Sequence, residues 1–249
     1  MPERVVLLNG EFDPFTLDDT VDRVFELVGS DAGGWFCTVN VAILMMMRAD
    51  RRLQHFVDRA ACIVADGQPI VALAKIFRTP LPERVAGIDL IERVCERAAA
   101  EHVGVYLLGA SADVVAEVAR RMQAACPGLE VSYGDGYFGA DQAAERASAV
   151  AASGARIAIV AMGVPLQEHF IEDHWEAMGI DVAIGVGGSF DVLAGHRTRA
   201  PRWMQRSGLE WVHRLREEPK RLFPRYFTTG LRFLLLGSRA IVLPRYRRS

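Results

Sequence analysis

Lysine is nearly absent from this 249-residue chain: Lys75 and Lys220 stand against an abundance of arginine. A GC-rich genome produces the same bias, so it carries no functional weight. Cysteine is scarce. Cys37, Cys62, Cys95 and Cys126 form no C-x-x-C pair and match no zinc spacing. Buried free thiols in a reducing cytosol are the expectation. There is no D-x-D tripeptide, which disfavours a nucleotide site held through an acid-bound metal. No apolar run reaches the ~18 residues of a membrane span, so no transmembrane helix is expected. Met1–Arg4 leads straight into an apolar strand, so no signal peptide is expected either. Internal repeats and low-complexity segments are missing too.

What is present reads as an ordinary globular composition, with 51% apolar and 24% charged residues. The net charge of -2 hides an asymmetry. Residues 201–249 carry 12 Lys+Arg against 3 Asp+Glu, while residues 1–200 carry 17 against 28. A basic tail on an acidic body implies an anionic partner: lipid, nucleic acid or a phosphorylated substrate.

The chain is organised around residues 35–74. Two short apolar strands, Trp35–Cys37 and Cys62–Ala65, end in polar residues that a core would not choose: Thr38 and Asn40 after the first, Asp66-Gly67 after the second. Val41–Met47 and Leu53–Ala60 read as helices between them. Two strands joined by a helical crossover lie parallel. Both polar ends then fall on the carboxyl edge of one sheet, where open α/β sheets bind ligands.

Before this unit, Arg4–Asn9 is a strand and a helix starts at Thr16, with Asp19 placed for a capping box. After it, Gln68–Phe77 is helical until the Pro80/Pro82 pair stops it. The segment Arg84–Asp89 opens a helix that runs to about His102. A regular alternation follows: strands at Gly104–Leu108, Leu129–Tyr133, Arg156–Ala161 and Asp181–Val186, and helices at Ser111–Ala125, Asp141–Ser153 and Leu166–Met178. The fold class expected is α/β, Rossmann-like, a mostly parallel sheet with helices on both faces. Composition changes near Thr198, so a body of residues 1–197 and a helical, basic appendage of residues 198–249 are expected.

Each polar strand end has a plain alternative. Asp66, Thr38 and Asn40 are also residue types that cap helices. Their convergence on one βαβ unit favours the functional reading. Gly185-Val186-Gly187-Gly188 resembles a phosphate-binding turn, but it comes late and is not a full G-x-G-x-x-G. Gln167, after the strand end Met162–Pro165, has the chemistry to hold a sugar hydroxyl or a diphosphate oxygen, or simply to face solvent. His169 and His174 lack the i, i+4 spacing of a zinc helix.

Together these strings resemble the WecG/TagA/CpsF family of bacterial glycosyltransferases. The matching pieces are Thr38-x-Asn40, Ala65-Asp66-Gly67, Arg84 with Gly87 and Asp89, Leu108-Gly109 and Gly163-x-Pro165-x-Gln167-Glu168. Then come Gly185-x-Gly187-Gly188-x-Phe190-Asp191, Arg199-Ala200-Pro201, Gly208–Trp211, Arg214-Leu215 and Glu218-Pro219. The resemblance covers roughly residues 5–235. It implies inverting, metal-independent transfer of a sugar from a UDP-sugar to a sugar on polyprenyl diphosphate, with no cofactor, at the cytoplasmic face of the inner membrane. Asp66 takes the place of the general base. Thr38, Asn40, Arg84 and Gln167 line the pocket, and Arg214, Arg221 and Arg225 belong to an appendage that meets the anionic membrane. Gly109, Tyr137, Gly163, Pro165, Gly187, Gly188 and Asp191 are assigned to the nucleotide.

Two other classes fit parts of the sequence. A soluble oxidoreductase using Gly185–Gly188 would need a glycine-rich turn after the first strand, and Asn9-Gly10-Glu11-Phe12 is not one. A nucleic-acid-binding protein using the basic, aromatic tail would leave the polar strand ends without a role. The expectation is therefore no nucleic-acid partner. A homo-oligomer is compatible with the sequence.

Overall fold

A computed structural model describes residues 2–217 and 219–242, without the side chains of some residues between 202 and 242. Its centre is a six-stranded sheet in the order β4-β3-β8-β7-β5-β6. The strands are β3 (Gly34–Val39), β4 (Cys62–Ala65), β5 (Val105–Gly109), β6 (Val131–Gly134), β7 (Ile157–Ala161) and β8 (Val182–Gly185). Every pairing is parallel. All strand ends therefore point to one edge, and the fold class expected from sequence is the one found.

The sheet is buried on both faces, which explains its continuous apolar strands. On one face lie Phe36, Val64, Leu107, Ile159 and Ile184. They are covered by α1 (Leu17–Leu27), α5 (Gly87–Glu101), α6 (Ala112–Ala125) and the short α9 (Ser189–Leu193). On the other lie Cys37, Ile63, Leu108, Val160 and Ala183. These meet α2 (Val41–Met47), α3 (Arg51–Asp58), α4 (Gln68–Ile76), α7 (Ala143–Ala152) and α8 (Leu166–Met178). The four cysteines are buried and unbridged, as expected.

Local chemistry sets several boundaries. Thr16 and Asp19 form the expected capping box at the start of α1. The Trp35 strand runs two residues further than its apolar core suggested, because Thr38 and Val39 pair with Val64 and Ala65. The first strand is corrected: Val5–Leu7 (β1) turns at once into Gly10–Phe12 (β2), an antiparallel hairpin outside the main sheet. Next to it, the β4 edge is closed by Asp13. Its backbone N–H donates to the Ile63 carbonyl and its carboxylate accepts from Ile63 N–H, both at 2.8 Å. Such cover keeps an edge strand from pairing with another chain.

The region after Thr198 forms α10 (Arg202–Arg206), α11 (Glu210–Glu217) and α12 (Pro219–Val242). The helical appendage expected from sequence is first broken at Ser207-Gly208, where Gly208 takes φ +74°. Glu218 lies outside the described residues. Helix α12 packs on α2 through Phe233 and Ala240, with Leu236 alongside. Spacing of i, i+3 and i+7 puts these on one face. Another face leaves Phe223, Phe227, Leu231, Leu234 and Leu235 exposed. That stripe spans about 18 Å at 1.5 Å per residue. No helix among the described residues is long and apolar enough to cross a membrane.

Candidate active site

The cleft lies where the strand ends converge. It encloses about 230 Å³ and is bordered by the ends of β3, β4, β7 and β8, the β6–α7 loop, and α11. This is the position topology assigns to ligands in open parallel sheets.

Asp66 follows β4 directly and faces the cleft. It does not cap α4, whose N-cap is Gly67 with no side-chain bond. Among the described residues no hydrogen bond fixes its carboxylate. Burial pushes its pKa up to about 6; Arg84 and Arg214 pull it down, and Glu210 and Asp89 push it up. A carboxylate that is half-buried, unpaired and protonatable near neutral pH has the properties of a general base.

Thr38 and Asn40 border the same cleft. Thr38 Oγ1 donates to the Gly185 carbonyl at 3.0 Å, tying the ends of β3 and β8. Asn40 is the N-cap of α2, where its Oδ1 accepts from Ile43 N–H at 3.1 Å. The capping alternative for Asn40 is therefore present together with its place in the cleft.

Gln167 is nearly inaccessible, and its amide is engaged on both sides. Oε1 accepts from Gly187 N–H at 3.0 Å, and Nε2 donates to Glu168 Oε1 at 2.8 Å. Gly187 has φ +57°, which favours glycine. Glu168 is buried, its Oε2 has no partner among the described residues, and burial raises its pKa to about 7.

The residues expected from sequence to meet a nucleotide fall in two groups. Tyr137, Gly163, Gly187, Gly188 and Asp191 border the cleft; Gly109 and Pro165 stand behind their neighbours Ala110 and Val164. Gly109 has a structural reason to be glycine. Its φ is +146°, and a Cβ there would lie 2.4 Å from the Ala161 carbonyl oxygen. Tyr137 is 80% exposed, leaving its ring open to a flat ligand. Asp135 holds its loop, accepting from Tyr137 N–H at 3.3 Å and pairing with Arg146 at 2.7 Å.

The basic side chains come from the segment before α10 and from α11. Arg197, Arg199 and Arg214 border the cleft with Asp191, Glu210 and Glu217. Arg197 pairs with Asp191 at 3.2 Å and Arg199 with Asp89 at 2.6 Å. Arg84 pairs with Glu210 and does not itself reach the cleft wall. Arg214 has no hydrogen bond or ion pair among the described residues, and it stands beside Asp66 electrostatically. Arg221 and Arg225 fall on α12, but their side chains lie outside the described residues. Sequence reasoning missed the contributions of Arg197, Glu210 and Glu217. Glu210 stood inside the quoted string Gly208–Trp211, so the signal was there without a partner to interpret it. Among the described residues no group of three or more His, Cys, Asp or Glu is placed to hold a metal.

The fold and cleft define an α/β protein with a carboxylate-and-arginine site at the carboxyl edge of a parallel sheet, suited to a phosphorylated ligand. The chain belongs to the glycosyl transferase WecG/TagA/CpsF family, whose model matches residues 5–247. A relative from Bacillus spizizenii is 35% identical over 220 residues, covering 86% of this chain and 83% of that protein. It is described as an N-acetylglucosaminyldiphosphoundecaprenol N-acetyl-beta-D-mannosaminyltransferase.

Proposed function

We propose that this protein transfers a hexose or N-acetylhexosamine from a UDP-sugar, with inversion and without a metal, to a monosaccharide on polyprenyl diphosphate. N-acetylmannosamine is the first donor sugar to test, given the Bacillus spizizenii relative. The observation that carries the reading is Asp66, an unpaired carboxylate held near pKa 6 in a cleft bordered by arginines.

The acceptor hydroxyl loses its proton to the Asp66 carboxylate as its oxygen bonds to the anomeric carbon. The bond from that carbon to the diphosphate oxygen breaks on the opposite side, and its electron pair leaves with UDP. The transition state resembles the oxocarbenium ion of glycoside hydrolysis. Negative charge building on UDP is met by Arg214 and by the polar backbone of the strand ends. The open Tyr137 ring supplies a stacking face for uracil.

The lipid-linked acceptor brings the protein to the cytoplasmic face of the membrane, in cell-envelope polysaccharide synthesis. The exposed stripe of α12 suits a helix lying in the headgroup layer. Arg232 and Arg239 are exposed and seven residues apart, so they share one flank of it.

The test is product analysis with UDP-N-acetylmannosamine, UDP-glucose and NAD on a synthetic lipid-diphosphate N-acetylglucosamine. A disaccharide-lipid product and free UDP are expected from one of the two sugars. No transfer from either, together with a thermal shift by NAD and none by UDP, would overturn the reading in favour of an oxidoreductase.

A further inference from the structure

Glu210 opens α11, 126 residues from Arg84 in sequence, yet the two side chains form a charge-assisted pair in which both are mostly buried. Burial works against the Glu210 charge, but Arg84, Arg214 and Arg199 outweigh it and hold its carboxyl below the ordinary value. The same contact keeps Arg84 firmly charged despite burial. Arg84 lies close enough to Asp66 to act on it. Even so, its guanidinium is given to Glu210, and Glu210 rather than Arg84 borders the cleft. Asp66 is left without a hydrogen bond among the described residues.

That arrangement matters because an arginine paired with a carboxylate stabilises its charged form and weakens it as a base. The groups acting on Asp66 are Arg84 from the segment before α5, Asp89 from α5, and Glu210 and Arg214 from α11. Of these, Asp89 is taken by Arg199. Among the described residues, Glu210 is the side chain that accepts a hydrogen bond from Arg84.

We propose that Glu210 is a positioning residue: it claims the Arg84 guanidinium, and so leaves Asp66 unpaired and free to accept the substrate's proton. The base is then complete only while α11 is docked on the body. This rests on the transferase reading of Asp66, but its primary readout does not require turnover.

The experiment titrates the Asp66 side-chain carboxyl by carbon NMR in the full chain labelled with carbon-13 aspartate. The resonance is assigned by its loss in Asp66→Asn. Glu210→Gln and Glu210→Ala remove the same negative charge, but only alanine also removes the hydrogen-bond acceptor for Arg84. The Asp66 midpoint is expected to fall in both, and in Glu210→Ala to fall about one pH unit further, as Arg84 turns to the carboxylate. Turnover of Glu210→Ala should drop about tenfold or more, with the donor KM within about threefold of the parent, as for a weakened base. Glu210→Ser, too short to reach Arg84, replaces alanine if that variant does not fold. Equal midpoints in the glutamine variant and the short-chain variant would overturn the proposal. Absence of transfer in the parent protein, with the midpoints still separated, would instead fault the transferase reading.

Discussion

Gln167 Oε1 accepts a 3.0 Å hydrogen bond from Gly187 N–H, so α8 and the turn after β8 are locked at the floor of the cleft. The side chain expected to touch substrate is thus also the brace of the glycine turn beside it. Gln167→Leu keeps the volume and removes both amide contacts, leaving Gly187 N–H and the buried Glu168 carboxyl without their partners. A cost of about 1–3 kcal/mol in stability is expected, with UDP affinity falling about tenfold as the turn loosens. Urea unfolding and calorimetric titration with UDP measure the two. Parent-like values for both would remove Gln167 from the site.

Asp66→Asn should cost about 10²–10⁴-fold in rate with UDP binding kept. In the parent protein, turnover should fall as pH drops through about 6, where Asp66 takes up a proton. The effect on stability has the opposite sense. Asp66 binds its proton more tightly folded than unfolded, so the native state loses stability as pH rises from about 4 to about 6 and stays penalised above that. At about 1.4 kcal/mol per pH unit, discounted for water reaching a half-buried group, Asp66→Asn should gain roughly 1–2 kcal/mol at pH 7.5 and none at pH 4. Thermal melts at both pH values check this. A variant with near-parental turnover would end the base assignment.

Transfer should survive excess EDTA. Of the carboxylates around the cleft, Asp191 is paired with Arg197 and Glu210 with Arg84, and no group of three or more metal-ligating side chains occurs among the described residues. Loss of turnover on chelation, with recovery on adding magnesium or manganese, would show that a metal is required.

Removing residues 219–249 is a poor test of membrane contact, because Phe233 and Ala240 are part of the core against α2. Their loss would bare that apolar surface. Phe227→Glu with Leu234→Glu changes only the exposed stripe, where the two side chains are 61% and 68% accessible. Binding to anionic vesicles should fall about tenfold or more, with the melting temperature nearly unchanged. Sedimentation with vesicles at low and high salt provides the measurement. Equal binding by parent and variant would place any membrane contact elsewhere.

Much of the strand-helix order was legible because each core strand is a short apolar run ended by glycine or a polar residue. The site was legible in outline for the same reason: parallel strands bring their carboxyl ends together whatever their order. The β1–β2 hairpin was not, since Gly10-Glu11-Phe12 is too short to show a period. Nor was the pairing of Arg84 with Glu210 or Arg199 with Asp89. Sequence patterns report neighbours one helical turn or one strand step away, and these partners are 126 and 110 residues apart.

The sequence by itself determined the α/β class, the polar strand ends that form one edge, the buried thiols and the amphipathic basic tail. All of these follow from local spacing and composition. Only the tertiary structure decided that Gln167 braces the Gly187 turn, that one face of α12 is core, and that Glu210 rather than Asp66 holds Arg84. The reason is physical: which charge meets which depends on where helices dock after the chain has closed on itself, and a side chain's neighbours in space set its burial and its proton affinity.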